Sequence, residues 1–394
     1  SAYGPMGGII GVSELTFTMN DCHNYGQLLS NGPTTIIGGG ILGQAFNAPI
    51  SINNCSNSGN LEIKGETAMG TITYGGIVGM LTEGATIASC SNTGSFVSSV
   101  KDVEQKIAGI VAMSNGPGDL TIKDCVNGEQ ANPDKGGIQI LSGESSKGGF
   151  LGGILSNCAA VQTGKIVIEQ CVNYANLIQE APYVRSIGGI IGHPNSSNCN
   201  VEITKCTNYG DISQNAATII VGVRALGGIV GYWDSGNSVM KECVNEGKIT
   251  ACGTGQVIRI GGLIGTMQKA TNSIVSCINK GDVSFTEDAA IGNWLVLGGL
   301  IGWQENSAKN EFKECSNYGK VTVKANNNTT HAVGMNVGGL IGASKKTLSV
   351  DGCKNYGEIT CTNTGSAVTH VGGILGGNND QIVSIVNASN YAGI

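Results

Sequence analysis

The sequence predicts an all-β protein, a right-handed parallel β-helix (solenoid) of eleven repeats with about one coil per ~35-residue repeat. Three observations carry this. A Gly-Gly-aliphatic-aliphatic-Gly run followed by Cys-x-Asn-x-Gly recurs along the whole chain, eleven times when degraded copies are included. Successive cysteines of that phrase stand 33 to 38 residues apart, except for an interval of 46 between Cys125 and Cys171 that marks an insertion around residues 128–156. Around each cysteine, residue types alternate with period 2, the period of a strand. No linker interrupts the pattern, so residues 1–394 read as one elongated domain; 63 glycines, 7 prolines and 5% aromatics fit many tight corners. The handedness follows from the general rule for parallel crossovers.

The glycine pairs open each repeat, at Gly7, Gly39, Gly75, Gly152, Gly188, Gly227, Gly261, Gly298, Gly338 and Gly372, with Ala108-Gly109 as a degraded copy. In Ile187-Gly188-Gly189-Ile190-Ile191-Gly192 both faces of an extended strand are apolar. Such a strand needs cover on its outer side. Either a bulge at the glycines returns Ile190 to the core, or the stripe is covered by loops of its own coil or by another chain. In the last case Ile190, Ile229, Leu263, Leu300, Leu340 and Ile374, together with Ile394, form a candidate interface.

Next in each repeat comes an aliphatic three residues before the cysteine (Met19, Ile52, Ile203, Ile385 and their equivalents), and another six residues after it (Leu28, Leu61, Phe96, Ala131, Leu177, Ile212 and onward). The two columns are out of phase by one residue, which requires a bend or bulge just before the cysteine. Between them run Cys22, Cys55, Cys90, Cys125, Cys171, Cys206, Cys243, Cys277, Cys315 and Cys353, with Ala388 as an eleventh member. In-register cysteines would hold their β-carbons near 4.8 Å, wider than the roughly 3.8 Å a disulfide prefers, so they read as unpaired buried fillers. Cys158, Cys199, Cys252 and Cys361 lie outside the column. With no Cys-x-x-Cys and 4 histidines, no metal site or cofactor is expected.

Two residues after the cysteine stands the one polar residue of the inward face: Asn24, Asn57, Asn92, Asn127, Asn173, Asn208, Asn245, Asn279, Asn317, Asn355 and Asn390. A buried amide is expensive unless bonded, and in register each can bond its neighbours above and below, so an amide ladder is expected. On the outward face, five residues after the cysteine, Asp211, Lys248, Asp282, Lys320 and Glu358 alternate in sign, as stacked coils would favour.

The phrases Gly262-Leu263-Ile264-Gly265, Gly299-Leu300-Ile301-Gly302 and Gly339-Leu340-Ile341-Gly342, each followed by Cys-x-Asn-x-Gly, resemble the GLUG motif repeat. That resemblance implies a secreted or bacterial cell-surface, adhesin-like protein and carries no catalytic residues. Several copies depart from the motif, with Ile for Leu and Ala108 or Ser156 for a glycine.

Composition narrows the function classes. The formal charge is -6, charged residues make up 13%, and the few lysines and arginines are scattered, which argues against nucleic acid as a partner. No apolar run approaches the ~18 residues of a membrane span. Carboxylates alternate with lysines or lie in separate loops, such as Glu287-Asp288 and Glu144, and the glycine- and serine-rich insertion at Lys135–Ser156 holds no histidine or paired acids. A polysaccharide lyase or hydrolase, which needs such groups on one solvent face, is the weakest reading. A non-enzymatic structural or adhesive role comes first. A glycan-binding module of a larger surface protein comes second, with Tyr25, Tyr174, Tyr209, Tyr318, Tyr356 and Tyr391 as candidate platforms, against the stronger reading that these outward tyrosines stack on one another as ordinary sheet pairs. Glycosylation triplets occur at Asn195, Asn327, Asn328 and Asn387. Because the sequence starts near one glycine phrase and finishes on the core aliphatic Ile394, the expected partners are further copies stacked end to end or side by side, or neighbouring domains of a longer chain.

Overall fold

The computed structural model describes residues 4–30, 34–63, 69–100, 103–141, 149–159, 161–180, 184–196, 198–215, 224–255, 257–268, 271–305, 310–378 and 383–394. Every regular element among them is a strand, and every sheet is parallel. One coil contributes five short strands, seen in the sixth coil as Val184–Gly188, Ile191–Ser196, Val201–Thr204, Thr207–Asn208 and Ile212–Gln214. We call the stacks they build sheets 1 to 5. Sheets 1 to 4 have eleven strands and sheet 5 has ten. At the usual strand spacing of about 4.8 Å, the stack is roughly 50 Å tall.

The register matches like with like. Ile203 lies between Ile168 and Met240, Asn208 between Asn173 and Asn245, and Ile212 between Leu177 and Ile249. One alignment is corrected. The core position of the fourth coil in sheet 5 is taken by Ile138, which pairs with Phe96 and Leu177, while Ala131 is exposed. The insertion lies between Asn127 and this strand, so spacing counted from Cys125 lands in a surface turn.

The bend before each cysteine is a left-handed residue. Asp21, Asn54, Ser89, Asp124, Gln170, Lys205, Glu242, Ser276, Glu314 and Asn387 all have φ of 50 to 55°, and the tenth coil uses Gly352 at 64°. This single residue rotates the strand direction, so that an aliphatic three before the cysteine and the cysteine itself both face inward. The thiol then stays at the corner: Cys206 Sγ lies 3.5 Å from the carbonyls of Thr204 and of Ile168 in the preceding coil, and Cys243 N–H donates to the Cys277 sulfur at 3.5 Å.

The asparagines form a continuous ladder. From Asn24 to Asn390, each Nδ2 donates to the Oδ1 of the next coil at 2.8 Å, ten bonds in all. The second amide hydrogen goes to a carbonyl of the same coil, Gly210 O at 2.9 Å for Asn208. Both donors and the acceptor of each buried amide are therefore used.

The glycine pair sits directly across the coil from this ladder. A β-carbon on Gly189 would stand 2.3 Å from Asn208 Cγ and 2.2 Å from Gly228 O; on Gly228, 2.2 Å from Asn245 Cγ; on Gly262, 2.3 Å from Asn279 Cγ. The second position of the pair is glycine in all eleven coils, whereas the first admits Ala108. This contact pinches the cross-section into two lobes. One apolar cluster holds Ile52, Cys55, Ile190, Ile191 and Ile203 from sheets 2 and 3 and the cysteine corner; the other holds Leu61, Ile187, Ile212 and Leu226 from sheets 1 and 5.

The stripe offered as a lateral interface is therefore inside. Ile190, Ile229, Leu263, Leu300 and Leu340 are buried in the first lobe, because the chain folds sharply at the glycines and consecutive aliphatics enter the same core. Ile374 is half-buried and Ile394 is 69% exposed, both in the last coil. What covers the outer side of sheet 1 is sheet 2 of the same coils: at the fold, their outer faces turn toward each other. A β-carbon on Gly231 would meet Ser186 Oγ at 2.2 Å, and one on Gly342 would meet Val296 Cγ1 at 2.6 Å.

Replacing Asn208 with Leu leaves the amides of Asn173 and Asn245 without partners and should destabilise the fold by about 1–3 kcal/mol, against a few tenths for Thr207→Ala. Urea unfolding followed by circular dichroism would read the difference, and equal effects would mean the ladder contributes nothing. In the same assay Gly228→Ala, which drives a methyl into Asn245, should cost about 1–3 kcal/mol.

Candidate functional site

The cysteine and asparagine columns are structural, with no surface of their own. All fourteen cysteines are free, including Cys158, Cys199, Cys252 and Cys361, and nine of the ten ladder thiols are buried, Cys22 being half-buried. Burial pushes the Cys171 and Cys243 thiols above their ordinary range. No group of three His, Cys, Asp or Glu side chains arranged to hold a metal occurs among the described residues.

Five of the six outward tyrosines stack on one another along sheet 4; Tyr25, in the first coil, is 78% exposed and lies 6.3 Å from the His23 ring. Tyr174 and Tyr209 have ring centroids 5.0 Å apart and planes 13° apart; Tyr318, Tyr356 and Tyr391 follow at 4.7 and 4.9 Å with 7° and 8°. Between the two stacks the same column holds Glu246 and Lys280, ion-paired at 2.7 Å. The rings present edges to solvent while their faces cover each other, which is cross-strand pairing and not an open platform. The charged column behaves similarly. Lys320 pairs with Glu358 at 3.0 Å, whereas Asp211 and Asp282 accept the backbone N–H of Lys248 and Lys320 at 2.8 and 2.9 Å. Asn60 and Asn176 make the same bond to Ser95 and Asp211, so this column requires an acceptor more than an alternating sign.

Among the glycosylation triplets, Asn328 and Asn387 are exposed, and Asn327 is buried with its amide donating to Asn293 O at 3.0 Å. The triplet at Asn195 extends to Ser197, and Glu144 belongs to the insertion; both Ser197 and Glu144 lie outside the described residues.

The side chains that break the repeat gather in the cleft between the outer faces of sheets 1 and 2. On the sheet 1 side the aligned column reads Phe150, Ser186, Ala225, Arg259, Val296, Asn336 and His370. On the sheet 2 side Asn157, His193, Tyr232, Thr266, Trp303 and Ala343 follow in consecutive coils. Aromatics touch along this cleft: Phe150 and His193 at 4.8 Å, His193 and Tyr232 edge-on at 4.9 Å. The Tyr232 hydroxyl donates to Gln268 Oε1, and burial pushes its pKa up to about 12.

Higher in the cleft, the Arg259 guanidinium, 2% exposed, lies over the rings of Trp294 (4.8 Å) and Trp303 (5.3 Å) and pairs with Glu305 at 3.1 Å. Burial lowers the Arg259 pKa, and Glu305 opposes the shift. Trp294 meets Trp303 edge-on at 4.7 Å and carries His331 stacked on its ring at 5.1 Å and 10°. Together with Val333 and Lys345 these residues line a surface cavity of about 330 Å³. Two of the three tryptophans of the chain are here, and the third, Trp233, is in the core. The sequence signal was a tryptophan at 303, in a column that holds Val, Gln, Met, Asn, His, Tyr, Thr, Ala or Gly in the other coils. Its partners Trp294 and His331 arrive from the segments joining sheet 5 to sheet 1, where the repeat has no fixed register.

No family model, no curated protein and no solved structure matches the chain. Among the described residues no helix is long and apolar enough to cross a membrane.

Thiol titration with an aromatic disulfide should find fourteen reactive sulfurs in denaturant without prior reduction, and slow, sparse reaction in the folded protein. The unfolded thiols ionise from about pH 8.5 while buried Cys171 and Cys243 stay protonated, so the folded state holds more protons there. Stability should accordingly fall as pH rises past 9. A thiol count well below fourteen would mean disulfides form in this fold.

Proposed function

We propose that the chain is a non-enzymatic extracellular or bacterial cell-surface solenoid with a structural or adhesive role, as its resemblance to GLUG repeats implies. The observation that carries this reading is the regularity of the load path: one amide ladder and one glycine contact, repeated through eleven coils, make a stiff body about 50 Å tall. End-to-end assembly belongs to the same proposal. The terminal coils carry exposed Ile9, Ile385 and Ile394, which either a second copy or further coils of the same polypeptide would cover.

A second reading, a glycan-binding module, is supported by the cleft with Trp294, Trp303 and Arg259 and not by the tyrosine column. The two readings are compatible, since a rod that displays a binding cleft is an adhesin.

Negative-stain electron microscopy of the purified chain tests the first reading. Rods about 50 Å long, joining end to end as concentration rises, are expected; a monomer that stays dispersed at all concentrations removes the assembly. Release of reducing ends or of unsaturated sugars from a panel of neutral and acidic polysaccharides would overturn the non-enzymatic assignment.

A further inference from the structure

The cavity lined by Trp294, Trp303, Glu305, His331, Val333 and Lys345 has a definite chemical bias. Trp303 is 1% exposed, lines the cavity, and its indole N–H has no hydrogen-bond partner. Lys345 is exposed at the cavity rim and has no ion-pair partner among the described residues. The carboxylate in the cavity, Glu305, is already committed to Arg259 at 3.1 Å. The charge left over is that of Lys345, whose exposed ammonium is the donor at the cavity rim. The site therefore asks for acceptor oxygens carrying negative charge.

The walls narrow the ligand further. Trp294 has His331 stacked on its ring and the Arg259 guanidinium over it, so a flat aromatic ligand has no free indole face there to occupy. What remains are ring edges, which carry the positive end of the aromatic quadrupole and favour oxygen over another π-face. An inorganic anion would satisfy the donors but leave the tryptophan and valine walls unused. A volume of about 330 Å³ is at the small end of ligand pockets, the size of one or two sugar rings and not of an extended peptide.

From these features the geometry points to a binding site for an acidic saccharide, a sugar ring bearing a carboxylate, with Lys345 taking its carboxylate and the tryptophan and valine walls its ring. This deepens the glycan-binding reading and rests on it, not on the rod or its assembly, which microscopy tests separately. With Trp233 in the core, emission from Trp294 and Trp303 reports the cavity directly.

Titration of the full chain with a galacturonic acid tetramer should change that emission saturably, and affinity should fall as salt rises because one ion pair is made. The neutral galactose tetramer should bind at least ten-fold more weakly. Lys345→Ala, at an exposed position, should leave the melting temperature unchanged and weaken uronate binding on the order of ten-fold. Trp294→Ala should abolish the response, with circular dichroism confirming the fold. Should Trp294→Ala fail to fold, His331→Ala, which removes the ring stacked on Trp294, is the second variant and should weaken binding several-fold. The proposal is overturned by any of three results: no saturable change with either tetramer up to 10 mM, equal affinity for the neutral tetramer, or uronate binding unaltered in Lys345→Ala.

Discussion

The contact between each asparagine amide and the second glycine of the pair across the coil is the constraint from which the rest of the structure follows. An amide buried between two lobes of hydrocarbon is tolerable only with all its hydrogens and lone pairs engaged. The stack achieves this by sending one N–H to the next coil and one to its own. That geometry holds the amide plane against the opposite wall and leaves no room there for a side chain, since a β-carbon on Gly189 would lie 2.3 Å from Asn208 Cγ. Asparagine and glycine therefore recur together. Neither explains itself alone: glycine in a strand weakens it, and asparagine in a core penalises it. Paired, they set the cross-section, and the fold at the glycines turns the outer faces of two sheets toward each other.

The corner beside the cysteine shows a local preference overruled by the stack. A left-handed residue costs about 1–2 kcal/mol for most side chains and less for Asn, Asp or Gly. Asp21, Asn54, Asp124, Gly352 and Asn387 fit that preference, but Gln170, Lys205, Glu242 and Glu314 adopt the same φ without it. Five parallel ladders on either side hold these residues in place, so the strain persists because the surroundings over-determine it. The cysteine is suited to the same corner by size and by a sulfur that donates weakly to carbonyls and accepts a backbone N–H.

How much of this was legible depends on whether a feature repeats. The ladder, the aliphatic columns and the bend before the cysteine each occur eleven times, and eleven copies make a period visible. Ala131 was misplaced for the opposite reason: one insertion moves the register, and only the backbone pairing reveals that Ile138 fills the position. For the Ile190 stripe, period 2 leaves two readings open, an outer interface or a bend at the glycines that returns it to the core; the structure takes the second, and Ile190 and Ile191 enter the same lobe. The tyrosines face outward and stack on one another as ordinary sheet pairs, as their place beside the asparagine corner implies; the structure adds that the paired rings lie 7 to 13° from parallel.

The candidate site was the least legible part because it is built from exceptions. Within the coil every position is bound by its neighbours above and below: a changed asparagine strands two amides, and a methyl on the second glycine collides with the ladder. The outer cleft escapes this rule, since its side chains touch across the fold between sheets 1 and 2 and not through a ladder. There the same backbone position carries Phe150, Ser186, Ala225, Arg259, Val296 and Asn336 in consecutive coils. A scaffold that fixes its interior this tightly leaves the cleft as the place where chemistry can vary at little cost to the fold. Arg259 marks the limit of that freedom. A buried guanidinium is tolerated only with compensation, and the compensation here, two indole rings and one carboxylate, supplies three of the walls of the cavity beside it.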